Sequence, residues 1–398
     1  MEKELLEFSE KAREEGKTYL KKRFIYYSVS PFLKEKVFIG LVGPRGVGKS
    51  VILKQLLAEL DSAFYLSLDS FVLPTSLYSL AEELQGKGIK YFLLDELQFY
   101  PLFEQELKKI HDFLSIKVIF TGSAAVSLSQ GAFDLSRRAR IISIPPLSFR
   151  ELIFFEKNVI VKPFLFDQLI NQEASRDYYG SVLEYENMFD AYLGGRNYPF
   201  TSQKRDFLPL FNNILERIIT HDLLKTNHIS LEESNHVRNL LKFMGKSSGE
   251  NVSYSSLATN VGITKYKAEK YVHLLENSFV LNCVFPTGTN VLKEPKIRLS
   301  LPYRLLYRNF DECIGDLRED FFVEVLRFSG KEFHYLKTNR GKKTPDYLLN
   351  DVVIEIGGKT KGRSQFKGFT ANKQLILTHP GTIDKLRRPL FLAGFIEW

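Results

Sequence analysis

The stretch Lys36–Leu60, KVFIGLVGPRGVGKSVILKQLLAEL, decides the fold class of this chain. The apolar run from Val37 to Val42 predicts a short buried strand, and the residues after Lys49 have the pattern of an amphipathic helix. Between them, residues 43–50 match the phosphate-loop pattern GxxxxGK[ST] in the strand–loop–helix context that it requires. The glycines let successive backbone N–H groups turn towards a phosphate, at a helix N-terminus that already favours anions.

This loop predicts ATP and Mg²⁺ as cofactors. We expect Lys49 to reach the β- and γ-phosphates and the Ser50 hydroxyl to bind Mg²⁺. The predicted ATP-binding residues are Gly43, Pro44, Arg45, Gly46, Val47, Gly48, Lys49 and Ser50.

Two adjacent carboxylates follow a second apolar run, Tyr91–Leu94. A buried strand that ends on like charges is explained if it ends beside the phosphate-loop strand, because Mg²⁺ and Lys49 would then separate the charges from the phosphates. Asp95 is expected to bind Mg²⁺, directly or through a water. Glu96 is expected to be the base that polarises the attacking water.

The next apolar run, in KVIFTGSAA, ends in Thr121-Gly122-Ser123. A small polar side chain here could hydrogen-bond the γ-phosphate or the lytic water, and we assign that role to Ser123. The alternative is an ordinary helix N-cap.

Three arginines, Arg137, Arg138 and Arg140, precede the following strand. One of them is a candidate arginine finger that completes the nucleotide site, within the chain or on a neighbouring subunit. The alternative is a solvated basic edge.

The segments GPRGVGKS, FLLDELQ, IFTGSAA and PPLSFREL, in this order, resemble a large prokaryotic family of AAA-like, STAND-related ATPases. The resemblance implies a helical lid with a GGxP element, a winged helix, and a last domain similar to PD-(D/E)xK nucleases. By alignment to PLSFRE, Arg138 takes the arginine position. The sequence departs from the family at the lid, where Gly194-Gly195-Arg196-Asn197-Tyr198-Pro199 is two residues longer than the pattern.

The segment Tyr254–Phe285 predicts two short helices around a glycine turn at Gly262, followed by a strand, which is typical of a winged helix. The second helix carries basic residues suited to phosphate contacts in DNA. The alternative is a packing module that reports nucleotide state. The predicted DNA-binding residues are Lys265, Lys267 and Lys270.

The C-terminal part predicts a helix, a strand, a hairpin and a further strand, the order of restriction-endonuclease-like folds. A two-residue turn at Asn350-Asp351 would place Asp346 opposite Glu355, and like charges in that position favour a bridging cation. Pro345-Asp346…Glu355 resembles the metal motif of those nucleases, so Asp346 and Glu355 are predicted metal ligands, with Glu319 as a third.

The lysine that the nuclease motif requires is replaced by Gly357, and Lys359 is expected to supply that charge from a displaced position. Positive charge around this region suits a phosphate backbone. The basic residues are Arg340, Lys342, Lys343, Lys359, Lys361 and Arg363.

Length and composition bound these hypotheses. The chain has 398 residues with 44% hydrophobic residues and a net charge of +8, which describes a globular protein for which a polyanionic partner is plausible. Two cysteines without metal spacing and the lack of a secretory signal or long apolar run predict a cytoplasmic protein without a membrane segment. The predicted domains are an N-terminal helical segment (1–30), the ATPase core (31–150), a helical lid (151–230), a winged helix (231–300) and the nuclease-like domain (301–398).

The fold prediction is therefore α/β and multidomain, with a P-loop NTPase core on a parallel sheet. The functional prediction is an Mg²⁺-dependent ATPase that couples nucleotide state to DNA binding or processing, and oligomerisation is compatible with it. Two alternatives stay open: an ATP-driven DNA nuclease, and a nucleotide switch that binds a protein partner without DNA.

Overall fold

The structure is a computed structural model, and it describes residues 2–122, 137–201, 206–224, 229–247, 252–288, 294–336, 344–362, 366 and 373–397. The chain divides into two compact units, Met1–Pro146 and Leu147–Trp398. No helix in these described ranges is both long enough and apolar enough to span a membrane.

The first unit is built on a parallel sheet with helices between its strands. The strands are β1 (Phe38–Val42), β2 (Ala63–Ser67), β3 (Tyr91–Asp95), β4 (Lys117–Gly122) and β5 (Ala139–Ser143). The helices are α1 (Glu2–Thr18), α2 (Lys49–Glu59), α3 (Leu77–Gly86) and α4 (Phe103–Phe113). Short 3₁₀ turns cover Phe24–Ser28, Ser30–Lys34 and Leu97–Phe99.

The strand order is β2-β3-β4-β1-β5, with every neighbouring pair parallel. β1 and β4 are buried along their whole length, as expected of central strands covered on both faces. The order corrects one expectation from the sequence: β3, which carries Asp95, does not lie beside β1, because β4 lies between them. Side chains at the end of β4 therefore lie between the two halves of the predicted site.

Helix α1 packs against α2 through a close approach at Gly16. The guanidinium of Arg13 caps the end of α2, donating to the carbonyls of Leu57 and Leu60, and it also donates to Ala63 O at 2.7 Å. These bonds satisfy carbonyls that a helix end leaves without an intrahelical partner. The N-terminal helical segment is thus part of the first unit.

The second unit contains more helices and two sheets. Its helices are α5 (Phe149–Lys157), α6 (Phe166–Ile170), α7 (Gln172–Val182), α8 (Phe189–Ala191), α9 (Leu208–Arg217), α10 (Leu231–Lys246), α11 (Tyr254–Val261), α12 (Lys265–Asn277) and α13 (Phe310–Phe328). Its strands are β6 (Leu281–Val284), β7 (Lys296–Leu299), β8 (Phe333–Tyr335), β9 (Tyr347–Leu349), β10 (Val352–Gly357), β11 (Lys373–Thr378) and β12 (Arg387–Pro389). Short 3₁₀ or π segments cover Leu183–Met188, Tyr192–Arg196, Pro199–Thr201, Ile218–Leu224, Tyr303–Leu306 and Leu390–Phe395.

An aromatic cluster forms the centre of the second unit. Phe149 makes edge-to-face contacts with Phe189, Tyr192, Phe391 and Phe395, at centroid distances of 5.3 to 6.2 Å. All five rings are fully buried. Residues from the start and the end of this unit therefore share one hydrophobic core.

Helices α10 to α12 and the antiparallel pair β6–β7 follow one another in the chain. Ser253 and Thr264 cap α11 and α12 by accepting hydrogen bonds from backbone N–H groups, and Gly262 ends α11 with φ of 75°. The predicted helix–turn–helix elements and the strand after them are present, although the strand is shorter than predicted.

The C-terminal sheet has the order β12-β11-β10-β9-β8. β9 and β10 form the predicted hairpin, and Val352 pairs with Leu349 while Ile354 pairs with Tyr347, which confirms the predicted register. Asn350 lies in the turn with φ of 53°. β10 and β11 are parallel, and α13 begins at Phe310, earlier than the sequence pattern indicated.

Candidate functional site

The phosphate loop follows β1 and leads directly into α2. Gly46 and Gly48 have φ of 86° and 93°, which L side chains rarely adopt, and a Cβ at Gly43 would lie 2.1 Å from Ile144 O. The loop therefore needs glycine at three of its positions. It presents its backbone at the N-terminus of an eleven-residue helix, as phosphate binding requires.

Lys49 lies in the first turn of α2 and is 5% exposed. Its Nζ donates to Gly43 O and Pro44 O, at 2.8 Å each. The ammonium is thus held over the loop by the loop's own carbonyls. These residues fit an ATP phosphate group, because the cradle and its cation are both built.

Asp95 ends β3 and is 4% exposed. Its Oδ1 accepts a hydrogen bond from the Thr121 hydroxyl, and its Oδ2 accepts one from the Tyr65 hydroxyl at 2.7 Å. Burial and the Asp95 carboxylate both raise the pKa of Tyr65, so the phenol keeps its proton and remains a donor. Asp95 is therefore held from β4 on one side and from β2 on the other.

Glu96 follows Asp95 in the left-handed region, with φ of 56°. Its N–H donates to Thr121 Oγ1 at 2.9 Å, which stabilises this uncommon backbone conformation. Its Oε1 lies 3.5 Å from Arg45 Nη1, and its Oε2 accepts a hydrogen bond from Gln98. A strained backbone at a carboxylate beside the phosphate loop is typical of a functional site.

Thr121 thus connects Asp95 and Glu96. The sequence interpretation assigned the polar role at the end of this strand to Ser123, which lies outside the described residues. Thr121 belongs to the same stretch, and the sequence alone predicts no contact for it. In the sequence, Thr121 could be recognised as a hydroxyl residue that follows three apolar residues of a strand. No comparable pattern distinguishes Tyr65.

The arginine-finger candidates lie at the other end of the sheet. Arg138 O accepts the N–H of Phe38, which starts β1, whereas the phosphate loop follows the end of β1. A strand of the length of β1 separates Arg138 from the phosphate loop by about 17 Å. Arg138 also forms a two-bond ion pair with Asp112, at 2.9 and 3.0 Å, which lowers the pKa of Asp112 to about 2.

Arg140 stacks on the ring of Phe32 at 4.1 Å, at the same end of the sheet. Arg137 is exposed beside it. The placement of Arg138 therefore argues against a finger acting on its own chain's phosphate loop. A role on a neighbouring subunit stays a prediction.

The glycine-rich lid element lies in the second unit. Gly195 has φ of 114°, and a Cβ there would lie 2.7 Å from the Phe207 ring, so glycine is required. Asn197 and Tyr198 are buried, and Asn197 O accepts the N–H of Leu147 at 2.7 Å.

An acidic cluster lies at the β9–β10 hairpin of the second unit. Asp346 Oδ2 accepts the N–H of Ile356 at 2.8 Å, and Glu355 Oε1 lies 2.6 Å from Lys361 Nζ. Glu355 is 1% exposed, and its Oε2 has no hydrogen-bond partner in the described part of the chain. Burial raises the pKa of both Asp346 and Glu355. The Glu319 carboxylate raises the pKa of Asp346 further, and the Asp346 carboxylate raises that of Glu355.

Lys361, not Lys359, is the lysine of this cluster. A Cβ at Gly357 would lie 2.6 Å from Lys361 Cγ, so the lysine side chain crosses the space that Gly357 leaves open and reaches Glu355. Lys359 is exposed. The displaced lysine expected from the sequence is thus present, but two residues further along the chain.

Glu319 is held by cations. It pairs with Lys296 and with Arg298 at 3.0 Å, and it accepts a hydrogen bond from Tyr347 at 2.7 Å. Burial opposes ionisation, but Arg298 and Lys296 outweigh it and lower the pKa of Glu319 to about 2. Within the described ranges no three metal-ligating side chains are grouped to hold a cation, so the structure does not support Glu319 as a third ligand.

The predicted DNA-binding lysines share one helix but differ in their surroundings. Lys265 pairs with Glu294 at 2.5 Å, and Lys270 pairs with Glu233 at 3.4 Å. Lys267 is half-buried in the first turn of α12. The remaining basic residues of the prediction, Arg340, Lys342, Lys343 and Arg363, lie outside the described residues.

Comparison with known proteins agrees with the geometry of the first unit. Residues 34–153 match the family described as "AAA domain", and residues 196–300 match a domain of unknown function, DUF8612. The parallel sheet, the phosphate loop and this match define an AAA-type, P-loop ATPase domain.

The chain belongs to the same family as the uncharacterized protein MJ1637 of Methanocaldococcus jannaschii, to which it is 30% identical over 412 residues, covering 90% of this chain and 85% of the relative. An uncharacterized protein of Haemophilus influenzae is 26% identical over 384 residues, covering 86% of this chain and 89% of the relative.

Two solved structures share a looser likeness. "The walker-type atpase paby2304 of pyrococcus abyssi" has a TM-score of 0.36 and 15% identity, covering 70% of this chain and 93% of that chain. A structure titled "Structural Basis for Katanin Self-Assembly" has a TM-score of 0.23 and 17% identity, covering 51% and 75%. Neither likeness is close enough to support an argument.

Proposed function

We propose that this protein binds Mg²⁺ and ATP, hydrolyses ATP at the phosphate loop, and couples its nucleotide state to DNA binding or processing. One observation carries the hydrolytic part. Thr121 holds Asp95 and the backbone of Glu96 together at the carboxyl ends of β3 and β4, in the sheet whose β1 leads into the phosphate loop. Ligands of open parallel sheets bind at this edge.

Each residue has a chemical task in this proposal. Lys49 neutralises charge on the β- and γ-phosphates. Ser50 and Asp95 would hold Mg²⁺, which when bound would supply further neutralisation of phosphate charge. Glu96 takes a proton from the attacking water as its oxygen bonds to the γ-phosphorus. The bond from that phosphorus to the bridging oxygen breaks, which leaves ADP and inorganic phosphate.

The test is binding and hydrolysis of ATP by the full chain and by Lys49→Ala. We expect hydrolysis that depends on Mg²⁺ in the wild type. Lys49→Ala should lose both nucleotide binding and hydrolysis, because it removes the ammonium and the two hydrogen bonds that the ammonium donates to the loop. Unchanged hydrolysis in Lys49→Ala would contradict the assignment.

A second candidate function belongs to the acidic cluster of the second unit. The order α13-β8-β9-β10-β11, with β10 and β11 parallel, supports the nuclease-like interpretation of this region. Asp346 and Glu355 share one face of the hairpin, and Lys361 supplies a cation beside them. In this proposal Asp346 and Glu355 bind a divalent cation, and Glu355 Oε2, which has no hydrogen-bond partner among the described residues, is the oxygen that would do so.

DNA contact through α12 is part of the same proposal. Three helices followed by the β6–β7 pair support a winged helix, and Lys265, Lys267 and Lys270 lie on its last helix. The ion pairs of Lys265 and Lys270 favour the rival interpretation, in which this module packs or binds a protein partner.

Three measurements separate these alternatives. DNA affinity that falls steeply with salt, and that Lys265→Glu with Lys267→Glu weakens, would support a phosphate contact. Uptake of Mn²⁺ by the full chain, measured by calorimetry and lost in Asp346→Ala, would support the metal site. DNA cleavage lost in Asp346→Ala and in Lys361→Ala would favour the nuclease, whereas no DNA affinity at low salt would favour the protein-binding switch.

A further inference from the structure

One residue of the phosphate loop forms a largely buried ion pair with the proposed base, which follows β3. Arg45 is the third residue of the loop, and its guanidinium lies 3.5 Å from the carboxylate of Glu96. The two side chains are 9% and 17% exposed, so water screens their attraction only weakly.

This pair restrains the proposed base. Glu96 Oε1 is beside Arg45, and Glu96 Oε2 accepts a hydrogen bond from Gln98. Both oxygens of the carboxylate are therefore engaged, and the guanidinium fills the place beside Oε1 that an attacking water would need. Glu96 can therefore act on a water most effectively when Arg45 has moved away.

The position of Arg45 indicates where it goes. The attacking water must lie within hydrogen-bond distance of Glu96, roughly 3 Å, and next to the γ-phosphorus. A guanidinium already beside Glu96, on the loop that holds the phosphates, is therefore within side-chain reach of the γ-phosphate. Its planar fork of N–H donors matches phosphate oxygens, and the charge makes these bonds strong.

We propose that Arg45 is a catalytic residue that exchanges Glu96 for the γ-phosphate when ATP binds, and thereby frees the base only in the ATP-bound state. This inference rests on the proposed hydrolysis at the same site. ADP lacks the γ-phosphate and leaves the Arg45–Glu96 pair intact. Arg45 thus supplies, from within the loop, the cation that Arg138 and Arg140 are too distant to supply in their own chain.

The test measures binding of ADP and of the slowly hydrolysed analogue ATPγS to the full chain. Arg45→Ala should weaken ATPγS by about tenfold or more, since a hydrogen bond to a charged group is lost, and should change ADP affinity less than about twofold. The ATPγS affinity of Arg45→Lys should lie between those of the wild type and Arg45→Ala, because lysine keeps the charge but lacks the planar set of N–H donors. ADP binding itself shows that each variant is folded.

A double-variant cycle tests the exchange. Glu96→Gln should strengthen ATPγS binding in the wild-type background, since no ion pair has to be broken, and should have no such effect with Arg45→Ala. Arg238→Ala, which removes an arginine from a 2.8 Å pair with Glu216 in the second unit, is the matched control and should leave both affinities unchanged.

The outcomes are distinct. Equal weakening of ADP and ATPγS by Arg45→Ala, or no weakening of either, would overturn the inference. Additive effects of the two substitutions would overturn the exchange. A wild type that binds neither nucleotide would instead contradict the proposed function.

Discussion

At the residue scale, Thr121 makes two of the hydrogen bonds that hold the candidate site together. Its hydroxyl donates to Asp95 and accepts the N–H of Glu96, and the side chain is fully buried. A buried donor or acceptor left without a partner costs about 1–3 kcal/mol. The two carboxylates of the sequence motif therefore depend on a residue of another strand.

We expect Thr121→Val, which keeps the shape but removes the hydroxyl, to lower the free energy of unfolding by about 1–3 kcal/mol. It should also reduce kcat for ATP hydrolysis, because Glu96 loses the bond that fixes its backbone. Thr121→Ser keeps the hydroxyl and is the control. Steady-state kinetics and thermal unfolding provide the measurement, and a wild-type kcat in Thr121→Val would contradict the role given to Thr121.

Glu324 is a buried carboxyl whose charge depends on pH in an accessible range. It is 2% exposed, and its Oε1 accepts the N–H of Leu301 at 3.0 Å. Burial raises the pKa of Glu324 to about 8. The hydrogen bond from Leu301 opposes this shift, and the Asp320 carboxylate adds to it. The folded protein therefore holds a proton that the unfolded chain releases at lower pH.

Proton linkage relates this raised pKa to stability. The contribution of Glu324 to the free energy of unfolding is complete below its unfolded pKa and is lost as pH rises through about 8. Glu324→Gln stays neutral and keeps the acceptor oxygen. We expect it to flatten the fall in unfolding free energy between pH 6 and 9, by up to about 1.4 kcal/mol per pH unit. Glu232→Gln, at an exposed position on α10, is the control, and parallel pH profiles for wild type and Glu324→Gln would refute the assignment.

At the element scale, the packing of α1 on α2 depends on one glycine. A Cβ at Gly16 would lie 2.1 Å from the backbone oxygen of Lys54 and 3.3 Å from Ala58 Cβ. Backbone cannot yield as a flexible side chain can, so the helices would have to separate. Gly180 in α7 offers the comparison, because nothing lies within 4 Å of its Cβ position.

We expect Gly16→Ala to destabilise the protein by about 1–3 kcal/mol through overpacking. Gly180→Ala should instead stabilise it by about 0.5–1 kcal/mol, since alanine favours the helix over the unfolded chain. Denaturant unfolding of the two variants tests both expectations. Equal stability of the two would show that α1 does not approach α2 this closely.

Features of this protein that depend on interactions between neighbours in the chain could be predicted from the sequence, and features that depend on long-range contacts could not. Residues 43–50 and the register of the β9–β10 hairpin are local, so a motif and a turn are enough to predict them. Strand order is not local, and the sequence did not show that β4 lies between β1 and β3. The contacts of Thr121 and Tyr65 with Asp95 depend on that order.

In the acidic cluster, too, the contacts that depend on the fold could not be predicted from the sequence. Lys361 reaches Glu355 only because Gly357 leaves space above β10. Lys296, which pairs with Glu319 of α13, lies on β7 and not in the C-terminal sheet. Spacing along the chain favoured Lys359 and a third carboxylate ligand. Distances in the fold favour Lys361 and a cation-bound Glu319 instead.

At the scale of the whole molecule, two compact units carry different chemistry. The first unit has the phosphate loop and its carboxylates, and the second has a buried acidic cluster surrounded by cations. With a net charge of +8, the chain as a whole is suited to an anionic partner. The central claim is that the first unit hydrolyses ATP with Glu96 as the base, and the coupling proposed for the second unit depends on it.

The most direct test compares ATP binding and single-turnover hydrolysis by the full chain and by Glu96→Gln, with Mg²⁺ present. Glu96→Gln removes the base but keeps the size of the side chain, so we expect ATP to bind at least as tightly as to the wild type. Hydrolysis should fall by about 100-fold or more, the usual contribution of a positioned general base. Equal hydrolysis rates in the two proteins would contradict the account.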